Sequence, residues 1–131
     1  MGTFSVTIEV GAPDRTSWLQ VDVLVDTGAT FTWLPRSLLT ELGHAPTGKE
    51  SFELGDGRLV QCDVGEVPVR IGDKVRTTMC AFADDGEKPA LGAVTLEQFL
   101  LAPDPVHKRL VPVIGLATNM STQLGASRVE P

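Results

Sequence analysis

Residues 3–10 read TFSVTIEV, with Phe4, Val6, Ile8 and Val10 alternating against polar neighbours. A period of two turns one face of an extended strand to a core and the other to water. GAPDRTS follows as a turn, and residues 18–25 (WLQVDVLV) return as a second strand, so the two predict a hairpin. After Asp26-Thr27-Gly28 the apolar pattern resumes in a short strand, ATFTWL. Residues 35–43 (PRSLLTELG) carry Pro at the start and Gly at the end, the usual bounds of a short helix. Residues 50–64 predict two strand arms around Gly55-Asp56-Gly57, because Asp-Gly is a strong tight-turn signal. The second arm runs on through GEVPVRI, turns at Gly72-Asp73 and returns as KVRTTMCAFA over residues 74–83. DDGEKP is a loop. Residues 90–103 open with a buried-looking Ala-Leu-Gly and continue as a helix bearing Val94, Leu96, Phe99, Leu100 and Leu101. DPVHKRLVPVIG holds a turn and a last strand.

Many short strands and two short helices predict a mostly β fold with a closed or partly closed sheet. The chain lacks the strand–helix rhythm of a doubly wound sheet, and it has no internal repeat of useful length. One domain is expected over residues 1–116. Residues 117–131 are small and polar and are expected to form a poorly packed tail.

Composition narrows the function classes. The chain has 131 residues, 42% hydrophobic and 21% charged, as in an ordinary soluble domain. A net charge of −6, with no cluster of Lys and Arg beyond the short His107-Lys108-Arg109, disfavours nucleic acid as a partner. No stretch approaches the roughly 18 apolar residues of a membrane span. The N-terminus has neither the basic region nor the apolar run of a secretory signal. Cys62 and Cys80 do not make a disulfide scaffold, so a reducing, cytoplasmic setting is the expectation. With Gly72-Asp73 as a two-residue turn, Ile71 faces Lys74. Cys62 then falls opposite Ala83 and Cys80 opposite Gly65, a register that disfavours pairing the two thiols.

One residue breaks the apolar pattern. Asp26 lies between VDVLV and the apolar ATFTWLP, where full solvation is not expected. A buried carboxylate has to be paired, hydrogen-bonded or neutral. Asp-Thr-Gly by itself is also a common turn. Here, however, VLVDTGAT is followed by a helix, a Gly-rich hairpin, then Ala90-Leu91-Gly92 and a second helix. In that order the chain resembles the retropepsin-like aspartic proteases, from about Phe4 to Val113.

The resemblance implies a mostly β, closed or partly closed barrel with one or two short helices, and an endopeptidase. Its catalytic residue is Asp26, supported by Thr27, Gly28 and Ala29. Gly55, Asp56 and Gly57 become the flap that closes over substrate, and Ala90, Leu91 and Gly92 pack behind the site. The turn is shorter and less Gly-rich than in viral relatives, and Asp56 puts a charge near its tip. Metal-free hydrolysis needs a water held between a base and an acid, and two carboxylates sharing one proton supply both. The chain has one Asp-Thr-Gly, not two, so the expected enzyme is a homodimer with one Asp26 from each subunit. Peptide or protein is the expected substrate, with no metal, no cofactor, no nucleic acid and no membrane. The alternative is a non-catalytic dimerising or peptide-binding module on the same fold. A third possibility is an unrelated small β fold whose Asp-Thr-Gly is only a turn.

Other residues offer weaker chemistry. His44 and His107 show no metal-ligand spacing and read as loop residues. Nothing local activates Cys62 as a thiolate. Asp84, Asp85 and Glu87 lack the spacing of a calcium loop. Trp18 and Trp33 read as core, with Trp33 also a candidate to line a substrate pocket.

Overall fold

A computed structural model describes residues 3–118. The predicted tail lies outside the described residues from position 119 onward. The elements are β1 (Ser5–Gly11), β2 (Trp18–Val25), β3 (Thr32–Pro35), α1 (Arg36–Glu41), β4 (Gly48–Glu53), β5 (Leu59–Ile71), β6 (Lys74–Ala83), β7 (Ala90–Leu91), α2 (Ala93–Phe99), β8 (Leu101–Asp104) and β9 (Arg109–Pro112). The fold is mostly β with two short helices, as the hydrophobic pattern predicts.

One seven-stranded sheet runs in the order β1-β2-β7-β3-β6-β5-β4, and an added β1–β5 pairing closes a ring of strands. Two of its pairings, β2–β7 and β3–β6, are parallel. The seam between β1 and β5 is short, with Glu9 opposite Arg70 and Val10 opposite Val69. Side chains reinforce it: Arg70 pairs with Glu9 at 2.9 Å and lies 4.0 Å from the centre of the Trp18 ring. A guanidinium over an indole face adds roughly 0.5–2 kcal/mol, so the seam is held by more than its two backbone pairs. Trp18 in turn lies against Gly11, where a Cβ would come within 2.8 Å of its ring.

Alternation does set the core. Ile8 and Val10 of β1, Val23 and Val25 of β2, and Val67 and Val69 of β5 are all buried. Leu39 of α1 and Phe99 of α2 close the core at 0% exposure. The α1 helix ends where expected, at Gly43 with φ 97°, and the next amide, of His44, returns to the Leu39 carbonyl at 2.9 Å. Such a left-handed glycine satisfies the last carbonyls of a helix. The His44 ring then meets the Gly11 carbonyl at 2.7 Å, a structural loop contact.

The β5–β6 register is the predicted one, with Ile71 opposite Lys74 and Gly65 opposite Cys80. Both cysteines are free thiols. The expected helix over residues 90–103 is corrected: α2 stops at Phe99. Leu100 takes φ 54°, a left-handed conformation, and Leu101 begins β8. Apolar residues at 99, 100 and 101 look like a continuing helix, but β8 and β9 use Leu101 and Leu110 to cover the core edge. Among the described residues no helix is long and apolar enough to cross a membrane.

Candidate active site

Strand β2 delivers Asp26 to the end of the ring, immediately after buried Val25. The following turn is tied back at once. The Ala29 amide donates to the Asp26 carbonyl at 3.1 Å, and the Gly28 amide donates to Asp26 Oδ1 at 2.9 Å. Gly28 suits this because a Cβ there would sit 3.2 Å from the same oxygen. The carboxylate therefore has a fixed orientation. It is nevertheless exposed on the single chain, not buried as its apolar flanks suggest. The flanks are buried because they are strands; the Asp sits on the turn that leaves the ring.

Three strands converge beneath this turn. β7 inserts between β2 and β3, with Val25 beside Leu91 and Trp33 beside Ala90. The Asp26 amide donates to the Leu91 carbonyl at 3.0 Å. The Ala93 and Val94 amides, first in α2, donate to the carbonyls of Ala29 and Thr30 at 2.8 and 3.1 Å. Helix α2 has no side-chain N-cap. Its free first amides are satisfied by the Asp26 loop itself, so helix and loop fix one another. Gly92 makes this approach possible: a Cβ there would lie 2.4 Å from the Phe31 carbonyl oxygen and 2.8 Å from that of Ala29.

A polar cluster lies behind the turn. The Gly92 amide donates to Thr32 Oγ1 at 3.0 Å; Thr32 Oγ1 meets Thr95 Oγ1 at 2.6 Å, and Thr95 Oγ1 meets Thr78 Oγ1 at 2.8 Å. All three threonines are buried. Sequence reasoning missed them. The one available signal was that Thr32, between Phe31 and Trp33 at the start of β3, alternates with them, which turns a polar side chain to the core face.

Predicted residues 26–29 and 90–92 are thus brought together. Gly55, Asp56 and Gly57 stand apart, at the exposed tip of the β4–β5 hairpin. Their hydrogen bonds are local: the Leu54 amide to the Arg58 carbonyl at 2.8 Å, and the Gly57 amide to the Leu54 carbonyl at 2.9 Å. Gly57 has φ 88°, as the turn demands. Asp56 accepts from the Arg58 amide and from Arg58 Nε, at 3.0 and 2.7 Å, which holds its carboxyl below the usual range. The charge at the tip is therefore paired within the turn. Strand β4 is exposed except at Phe52, whose ring packs 5.6 Å from Phe31 and 5.3 Å from Trp33. The hairpin is anchored on the strand that leaves the Asp26 loop.

A groove of about 390 Å³ opens at Asp26 and Thr27, lined also by Thr3, Phe4, Val25, Pro103 and Pro105. Among the described residues no group of three or more His, Cys, Asp or Glu is placed to hold a metal. Asp84 of the acidic loop is engaged by Arg36 Nε at 2.9 Å. Cys80 lies in the core, where burial pushes its thiol up to about 12; burial and nearby carboxylates also raise Cys62. Neither is poised as a nucleophile.

The site therefore presents an oriented, solvent-facing Asp in an Asp-Thr-Gly turn, backed by the inserted strand β7 and Gly92. A family model described as aspartyl protease matches residues 6–96, and the chain belongs to that family, within the retropepsin-like clan. No curated protein matches the sequence at a significant level.

Proposed function

We propose that two copies of this chain form one aspartic endopeptidase, with the Asp26 carboxylates facing each other across a twofold axis. The observation that carries this is the Asp26 turn, rigidly tied to Leu91 and α2 yet presenting its carboxylate to an open groove. A turn that served only to reverse the chain would need neither the anchoring nor the groove. The ring of strands fits the closed barrel implied by the retropepsin resemblance. The free thiols fit a reducing, cytoplasmic compartment.

In the pair, one carboxylate is ionised and the other protonated, because two adjacent charges are mutually unfavourable. The ionised Asp26 takes a proton from water as the water oxygen bonds to the scissile carbonyl carbon. The protonated Asp26 donates to the carbonyl oxygen, giving a neutral gem-diol. On collapse a proton passes to the amide nitrogen, the C–N bond breaks, and a carboxyl and an amine terminus result. Thr27, next to each Asp, bonds across the axis. The hairpin tip at Gly55, Asp56 and Gly57 folds over the peptide and excludes water. Ala90, Leu91 and Gly92 hold the turn from behind.

The second copy has a surface to meet. Past β9, Val113, Ile114 and Leu116 are 43%, 93% and 101% exposed. Three exposed apolar residues in a four-residue stretch, near the strand ends, suit burial against a twin. Purified protein run against a peptide library, with and without a statine-type inhibitor, tests the reading. Cleavage that the inhibitor blocks is expected, with a bell-shaped pH dependence on the acid side of neutral. A rate still rising through pH 9 would remove the shared-proton pair.

A further inference from the structure

We propose that Thr95 and Thr78 are positioning residues for the Asp26 loop, acting through Thr32 and the Gly92 amide. The proposal rests on the protease reading for its kinetic consequence, but not for its structural one. Three hydroxyls form an unbroken chain from the Gly92 N–H, through Thr32 and Thr95, to Thr78, with steps of 3.0, 2.6 and 2.8 Å. Each threonine is at most 1% exposed. Gly92 joins β7 to α2, Thr32 opens β3, Thr95 lies in α2 and Thr78 in β6. The chain therefore crosses every element that surrounds the loop from behind.

Valine has the shape of threonine and would suit an apolar interior better. Threonine is also only a moderate helix former. Hydroxyls here fix spacing in a way methyl groups do not. A hydrogen bond weakens steeply with distance and angle, whereas apolar contact tolerates sliding. Holding α2 at hydrogen-bond length from β3 and β6 fixes Ala93 and Val94. Those two amides carry the Ala29 and Thr30 carbonyls, and so the Asp26 turn. Thr95 is the middle link. Each hydroxyl has one proton and two lone pairs, so Thr32 serves Gly92 and Thr95 together. Without the Thr95 hydroxyl, Thr32 and Thr78 each lose a partner where water does not reach.

The test compares Thr95→Val and Thr95→Ser in the dimeric full chain. Amide hydrogen exchange at Gly92 is read alongside steady-state cleavage of a peptide found from the library. In Thr95→Val we expect Gly92 to exchange at least about tenfold faster than in the wild type. We expect kcat to fall on the order of 10–10²-fold, with KM changed less than about twofold. Thr95→Ser keeps the hydroxyl and should behave as wild type in both. Adding Thr78→Val to Thr95→Val should cost little more than Thr95→Val alone, since both cut the same chain. Unchanged Gly92 exchange in a folded Thr95→Val protein overturns the proposal. So does equal acceleration in the Val and Ser variants, which would mark a packing effect. If Thr95→Val does not fold, Thr78→Val with the same two readouts decides. A wild-type protein that cleaves nothing would defeat the protease reading, while Gly92 exchange would still report on the hydroxyl chain.

Discussion

The backbone amide of Asp26 donates to the carbonyl of Leu91 at 3.0 Å, which ties the turn carrying the carboxylate to an inserted two-residue strand. That bond depends on the next residue, Gly92, lying under the carbonyls of Phe31 and Ala29. Gly92→Ala would drive a Cβ to 2.4 Å from backbone, which must then move. We expect a loss of about 3 kcal/mol, as for other severe overpacking, and displacement of the Asp26 turn. Urea titration measures the first. Loss of cleavage, in a variant that remains folded, measures the second.

The hairpin tip should behave differently. Gly57 has φ 88°, and beyond its two chain neighbours no atom lies within 4 Å of where a Cβ would stand, so Gly57→Val meets strain but no clash with the rest of the fold. A β-branched residue in the left-handed region costs on the order of 1–3 kcal/mol locally, and the exposed turn can rearrange to relieve it. The fold should survive with a nearly unchanged melting temperature while turnover drops. Unaltered kinetics in Gly57→Val would remove the flap role from Gly55, Asp56 and Gly57.

Acid should loosen the structure through carboxylates outside the Asp26 turn. Asp63 is held below the usual carboxylate range by Lys49 and then Arg36, and Asp104 by the His107 ring and the His107 amide. A carboxyl whose folded pKa is depressed stabilises the fold above its unfolded pKa, about 4, and that contribution is lost as pH falls through the folded value. Melting temperature should therefore decline below about pH 4, and Asp63→Asn and Asp104→Asn should each flatten the decline. Circular dichroism across pH, set beside activity, separates unfolding from any loss of the chemistry itself. A melting temperature unchanged down to about pH 2 would contradict the assignment.

Legibility in the sequence follows the range of the interactions. The β1–β2 hairpin, the β5–β6 register and the bounds of α1 rest on alternation, turn residues and a terminal glycine, all local signals. The end of α2 is hidden because Phe99, Leu100 and Leu101 share hydrophobicity, whereas the left-handed turn at Leu100 answers to packing by β8. Strand β8 is hidden with it, inside the run read as helix, whereas β9 lies within the expected last strand of DPVHKRLVPVIG. At the site, residues 26–29 and 90–92 are found through the family pattern. Thr78 and Thr95 are not, because a hydroxyl chain assembled from three elements leaves no spacing to read.

Assembly can be probed away from the Asp26 turn. Ile114 and Leu116 are 93% and 101% exposed on the single chain. If they meet the second copy, Ile114→Asp and Leu116→Asp place charge in that contact and should raise the dimer dissociation constant by on the order of 10–10²-fold, the range for losing a central apolar contact. Sedimentation equilibrium reads the constant. Activity per milligram should fall with dilution in step with it. A variant that stays dimeric places the interface elsewhere.

Asp26→Asn separates chemistry from assembly. Asparagine keeps the size of the side chain, and its carbonyl oxygen can still accept from the Gly28 amide, so the turn should hold. It cannot take a proton from water. Loss of a single acid–base group costs on the order of 10²–10⁴ in rate, and groups that act as a unit cost more. In the proposed dimer both carboxylates are lost, so no measurable hydrolysis is expected. The proposed dimer should persist or tighten, because the one carboxylate charge of the pair no longer has to be desolvated at the axis. Peptide cleavage and sedimentation on one preparation give both answers. Near-normal cleavage by Asp26→Asn would end the assignment of Asp26. An inactive monomer would show that the carboxylates also hold the subunits together, through a proton shared across the axis.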